Sequence, residues 1–174
     1  YLIMRQIRLA MLSGIDISGY AEKGMDGRTL EEIRIAGESG IDIGRFADDG
    51  YGGEQLEQIR LAYEEGIDIG PYLKKELRGT QLQEIRLGLA GGTDVSVYAD
   101  ASYDWFQMRQ IRFGLEHGVD ISLYARPIFR WEQMQEIRIG LENRLDVSQY
   151  ARTSFDTAEM KAARERMYDV TDAG

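Results

Sequence analysis

The pair Ile-Arg recurs at Ile7-Arg8, Ile33-Arg34, Ile59-Arg60, Ile85-Arg86, Ile111-Arg112 and Ile137-Arg138, always 26 residues apart. An aspartate keeps the same period at Asp16, Asp42, Asp68, Asp94, Asp120 and Asp146. A fixed period of this length, without insertion or deletion, requires one supersecondary unit stacked on copies of itself. Six full units and a seventh, altered one fill residues 1–174 as a single helical-repeat domain. Tyr1 falls inside a unit, so the chain reads as a fragment excised from a longer protein.

Within a unit the local signals come in a fixed order. Asp26 can cap a helix, and Met25 and Leu30 have the spacing of a hydrophobic staple, repeated as Tyr51/Leu56, Leu77/Leu82, Tyr103/Met108, Phe129/Met134 and Phe155/Met160. Gln55, Gln81, Gln107, Gln133 and Glu159 stand at the third helical position, where a side chain can reach back to the cap. Asp104 and Asp156 are good caps, whereas Arg78 and Arg130 are poor ones. About three turns on, Gly14, Gly40, Gly66, Gly92 or Gly118 can take the left-handed conformation that ends a helix, and Arg144 breaks that pattern. The periodic aspartates then read as N-caps of a second, shorter helix, stapled by pairs such as Ile15/Tyr20, Ile41/Phe46 and Leu145/Tyr150. Pro71 falls in the first turn of that helix, where its missing amide hydrogen does little harm. The expected fold is all-α, an α-solenoid of helix-turn-helix units with a capping helix over 157–168. In that last segment Ala163 and Glu165 replace apolar residues, which blunts an open end.

The long helix has distinguishable faces. Its inward face carries Leu30, Ile33 and the position of Met11, Gly37, Tyr63, Leu89, Leu115 and Leu141. Ala10, Ala36, Ala62, Gly88, Gly114 and Gly140 share a register where neighbouring helices are expected to approach closely. Glu31, Glu32, Glu38 and Ser39 mark a polar outer face, yet Leu9, Ile35, Leu61, Leu87, Phe113 and Ile139 run along its middle. Either superhelical twist turns this stripe into the groove between helices, or it is a surface made for a partner.

The arginine ladder Arg8, Arg34, Arg60, Arg86, Arg112 and Arg138 supplies one guanidinium per unit, and the aspartate ladder one carboxylate. Internal Arg–Asp pairs, or bonds to helix-end carbonyls, are the expected role. The competing role reads nucleic acid one residue per repeat. Tyr20, Phe46, Tyr72, Tyr98, Tyr124 and Tyr150 are expected in the core. Trp105 and Trp131 replace the glycines (Gly27, Gly53, Gly79) that open the earlier long helices, and with Phe106 and Arg130 they are either a binding hot spot or a cover over the loop beneath.

Other classes of function find little support. The only histidine, His117, has no cysteine or second histidine with which to hold a metal, and reads as a surface residue. No Gly-rich phosphate loop follows a strand pattern, and Asp16-Ile17-Ser18 and its copies lack the alternating oxygens of a calcium loop. No enzyme activity and no cofactor are expected. The net charge of −9 disfavours phosphate-backbone binding. No apolar run reaches a membrane span. The lack of cysteine fits a cytoplasmic protein.

The segments Gln107-Met108 to Ala125 and Gln133-Met134 to Ala151 carry the pattern Gln-Met-x-x-Ile-Arg-x-Gly-Leu-x-x-Gly-x-Asp-Val/Ile-Ser-x-Tyr-Ala, with Arg144 in place of the second glycine in the latter copy. This resembles a short helical repeat of gut Firmicutes proteins, often associated with conjugative or phage-like mobile elements. Gly44, Gly70, Ala10, Ala36 and Ala62 depart from it in the first three units. The resemblance implies a bacterial interaction module and carries no activity. Three functions are thereby in view. The first is a scaffold binding a protein or peptide along one face, with self-association through the stripe left open. The second is an acidic decoy that occupies the nucleic-acid channel of a host defence enzyme. The weakest is nucleic-acid binding through the arginines.

Overall fold

The computed structural model describes residues 1–171 of the 174, so the last three residues of the expected repeat domain lie outside it. Over those residues the chain is all-helical, without a strand. The long helices are α1 (Leu2–Leu12), α3 (Gly27–Glu38), α5 (Gly53–Glu64), α6 (Gly79–Ala90), α7 (Trp105–Glu116), α8 (Trp131–Glu142) and α9 (Thr157–Thr171). From α3 onward each long helix begins 26 residues after the last. The chain divides into two compact units, Tyr1–Ala90 and Gly91–Gly174. In the first, α3 packs between α1 and α5, and α5 between α3 and α6; in the second, α8 packs between α7 and α9.

The second element of each repeat is shorter than the expected helix. Only α2 (Ser18–Glu22) and α4 (Gly44–Asp48) are α-helical; later repeats have single 3-10 turns at Gly70–Tyr72, Val95–Val97, Ile121–Leu123 and Val147–Gln149. Helix nucleation needs several residues for its first hydrogen bond, so three-residue stretches stay at one tight turn. The periodic aspartates act the same way in all of them. Asp16, Asp42, Asp68, Asp94, Asp120 and Asp146 each accept a hydrogen bond from the backbone amide two residues on, at 2.9–3.2 Å. The turn between the two helices is left-handed at Gly14, Gly40, Gly66, Gly92 and Gly118, and also at Arg144, with φ 60°.

The glutamines at the third helical position join one repeat to the next. Gln55, Gln81, Gln107 and Gln133 accept the amide of the capping residue at 2.8–2.9 Å, so the poor caps Arg78 and Arg130 still have their N–H satisfied. The same side chains donate onward: Gln55 to the Leu77 carbonyl, Gln107 to Phe129 and Gln133 to Phe155, at 2.6–2.7 Å. A glutamate could accept but not donate. At α9, beyond which the described residues contain no further loop, the position holds Glu159, which accepts from Asp156 at 2.8 Å.

The periodic aromatics dock in two ways. Tyr98, Tyr124 and Tyr150 are fully buried, whereas Tyr20, Phe46 and Tyr72, expected in the core with them, are only half-buried. The hydroxyls of Tyr124 and Tyr150 donate to the Gln110 and Glu136 carbonyls of the preceding long helix, at 3.1 and 3.3 Å. They occupy the space a Cβ would take at Gly114 and Gly140. Tyr20 instead turns its hydroxyl toward the next short helix, into the space a Cβ would take at Gly44. Alanine therefore fits at Ala10, Ala36 and Ala62, all fully buried. At Ala10 and Gly44 the two departures from the repeat pattern go with this second placement of the ring.

Candidate functional site

Six arginines look poised for a ligand, but nearly all are occupied inside the protein, and not by the expected aspartates. Arg34, Arg60, Arg86 and Arg138 each direct Nε to the residue 28 positions earlier: Gln6, Glu32, Gln58 and Gln110, at 2.8–3.1 Å. The other nitrogens reach a glutamate, Glu38, Glu64, Glu65 or Glu142 respectively. Arg112 bonds Glu116 at 2.6 Å, and Arg8 is exposed. The aspartates are absorbed by their own turns. Arg164 continues the series with a 2.8 Å bond to Glu136. Its period makes it legible in the sequence, 26 residues after Arg138.

The acceptor series Gln6, Glu32, Gln58, Glu84, Gln110 and Glu136 is buried throughout. This corrects the placement of Glu32 on a polar outer face: adjacent long helices close over it. Burial pushes the Glu32 carboxyl above its ordinary pKa, against the lowering effect of Arg60. A carboxyl raised in the folded state stabilises the fold below its unfolded pKa and loses that contribution as pH rises through the folded value. Glu32→Gln, which copies the neighbouring rungs, is expected to keep the Arg60 bond and to remove this decline. Thermal melts across pH 4 to 8 should show a variant that gains on the wild type as pH rises, and a constant difference would refute the burial effect. The exposed Asp16, Asp120 and Asp146 act oppositely. Hydrogen bonds from the serine two residues on hold their pKa values down, so their contribution is lost as acid protonates them.

The apolar stripe Leu9, Ile35, Leu61, Leu87, Phe113 and Ile139 is half-buried at every position. In the second unit Arg112 and Arg138 lie over the Phe113 ring, at 4.6 and 5.4 Å from its centre. The position expected to face inward is less covered than anticipated: Met11 and Tyr63 are exposed, and Leu89, Leu115 and Leu141 are half-buried. The short elements are too brief to cover that side of the long helices. Tyr63 instead accepts a 2.8 Å bond from Arg45, in a hollow of about 570 Å³ that Phe46, Tyr51 and Leu73 also line.

Trp105, Phe106 and Trp131 come together in one stack. Phe106 lies face to face with Trp105, centroids 3.6 Å apart, and with Trp131 at 5.1 Å, the planes inclined by 29° and 21°. Arg109 lies over the Trp105 ring at 4.6 Å. Phe106 is exposed while both tryptophans are half-buried. The stack sits on the first turns of α7 and α8. In the first unit the corresponding ends touch so closely that a Cβ at Gly53 would lie 2.6 Å from Arg28 Cγ, and one at Gly79 2.6 Å from the Glu54 carbonyl oxygen. The exchange of glycine for tryptophan thus replaces a backbone contact with an aromatic edge.

His117 is exposed, with Nδ1 2.6 Å from Glu142, which Arg138 also engages. Among the described residues no group of three or more histidine, cysteine or acidic side chains is placed to hold a metal, and no helix is long and apolar enough to cross a membrane. No buried side-chain nitrogen or oxygen among them lacks a hydrogen-bond partner. Comparison with protein-family models, curated proteins and solved structures found no match.

Proposed function

We propose that this chain is a non-enzymatic α-solenoid, six 26-residue units ended by α9, that binds a protein or peptide through the aromatic edge of its second unit. In-register helix starts and sequential helix packing within each unit support the solenoid. The observation that carries the binding role is the Trp105–Phe106–Trp131 stack, whose central ring is 36% exposed. Tryptophan and arginine dominate the energetics of protein interfaces, and an ordered stack presents apolar area with little conformational entropy left to lose. The arginine ladder is a weak basis for nucleic-acid recognition, since five of its six guanidinium groups already serve Gln or Glu acceptors. The acidic-decoy reading rests on the net charge of −9 and on the resemblance to a repeat of mobile-element proteins.

Selection of displayed peptides on the immobilised chain tests this reading. Enriched peptides are expected to quench or shift the emission of the two tryptophans and to lose affinity at least ~10-fold on Phe106→Ala, with weak salt dependence. Binders indifferent to that substitution, or steeply salt-sensitive, would move the contact away from the aromatic edge.

A further inference from the structure

Beside α9 the repeat pattern is broken at three positions that face one hollow. Ala163 stands where six preceding repeats have isoleucine. Arg144 stands where five have glycine, and it keeps their left-handed backbone, with φ 60°. Arg166 stands where the preceding helix has Gly140. With Leu145, Phe155 and Met167 these residues line a cavity of about 610 Å³ within the second unit.

The chemistry of the hollow is mixed in a specific way. Leu145, Phe155, Ala163 and Met167 make it apolar, and alanine in place of isoleucine leaves its wall open at that point. Arg144 and Arg166 are exposed, and among the described residues neither joins an ion pair, unlike Arg138 and Arg164 of the same unit. Asp146, also on the lining, is held by Ser148 and Gln149. The left-handed conformation is costly for any residue with a Cβ, and strain retained in a fold points to a role for the side chain that bears it. Among the described residues the Arg144 guanidinium has no bond that would explain it. In a chain of net charge −9, two uncommitted guanidinium groups at an apolar hollow select an apolar ligand that carries a carboxylate.

We infer that this hollow binds the C-terminal residue of a partner peptide, its large apolar side chain against Phe155, Ala163 and Met167 and its carboxylate on Arg144 and Arg166. The volume lies within the range of small-ligand pockets and accommodates a leucine- or phenylalanine-sized side chain with adjoining backbone. The site is separate from the aromatic stack and goes beyond the function proposed above.

The test is fluorescence anisotropy of the whole chain with labelled hexapeptides ending in leucine or phenylalanine, each as free acid and as amide. The free acids are expected to bind at least ~10-fold more tightly than the amides. Arg144→Gly is expected to weaken the acids by a similar factor while raising the thermal midpoint, because it relieves the left-handed strain. Ala163→Ile, which restores the repeat's own residue, is expected to weaken binding strongly by projecting into the apolar wall where the partner's side chain would lie. Equal affinity for acid and amide overturns the inference, as does wild-type binding by both variants or no binding of the free acids. Dodecanoate that binds where the peptides do not would make the occupant a lipid carboxylate and overturn the peptide assignment. Phe106→Ala is expected to leave acid binding intact, which keeps a failure here distinct from a failure at the aromatic edge.

Discussion

Gly114→Ala is expected to destabilise the second unit by about 3 kcal/mol, a large effect for one methyl group. The added Cβ would fall on the Tyr124 hydroxyl and within 2.9 Å of Ile121 Cγ2, and Tyr124 has no exposed surface into which to shift. The ring must leave its site, giving up both its burial and its bond to the Gln110 carbonyl. Thermal unfolding should show a midpoint lowered by ~10 °C. Tyr124→Phe in the same background removes the clashing oxygen and leaves the ring's far carbon 3.1 Å from the new Cβ, so part of the loss should return. If the single variant costs under ~1 kcal/mol, or the double variant is no better than additive, the docking of Tyr124 against Gly114 is not what holds this turn. Ala62 is the internal contrast: it is fully buried without strain because the aromatic residues of its unit are docked elsewhere.

Arg60→Met is expected to cost about 3 kcal/mol, because it leaves the buried Glu32 carboxylate without its cation. Arg60 Nε bonds Glu32 at 2.8 Å, the side chains being only 12% and 9% exposed, and a second nitrogen holds Glu64 at 3.0 Å. Pairing Arg60→Met with Glu32→Met removes both charges and fills the space with carbon, which should recover most of the loss. The single variant should also recover as pH falls, since Glu32 is already pushed toward its neutral form by burial and protonation removes the uncompensated charge. Chemical denaturation of the wild type and these two variants at pH 7 and pH 5 gives the comparison. A single-variant loss below ~1 kcal/mol would class the pair with exposed surface bridges.

Much of this was legible beforehand because it is local. The helix starts, the glycine turns and the aspartate caps all follow from short-range backbone hydrogen bonding. The brevity of the second element was less visible, since a three-residue 3-10 turn and a five-residue helix share caps and staples. The partners of the arginines differ from the expected aspartates for a definite reason. Arginine and aspartate each occur once per repeat, so they look like a matched pair. The actual acceptors, Gln6, Glu32, Gln58 and Gln110, lie two residues further back than one full period, on the neighbouring long helix. With Glu84 and Glu136 included, that register alternates glutamine and glutamate along the sequence, which is the signal it offers.

The aromatic residues show the same division. The first three repeats pair alanine in the long helix with half-buried rings, and Gly114 and Gly140 pair with fully buried tyrosines. The residue exchange was visible as a departure from the pattern, but not as a choice between two rotations of a ring. Trp105 and Trp131 stand out by type, yet nothing in their spacing shows that both stack on Phe106. A repeat in sequence dictates which residues share a helix face and where the backbone turns, because these depend on hydrogen bonds spanning a few residues. Which side chain meets which across neighbouring helices depends on helix separation and rotation to within fractions of an ångström, and those are fixed only when all the side chains pack at once.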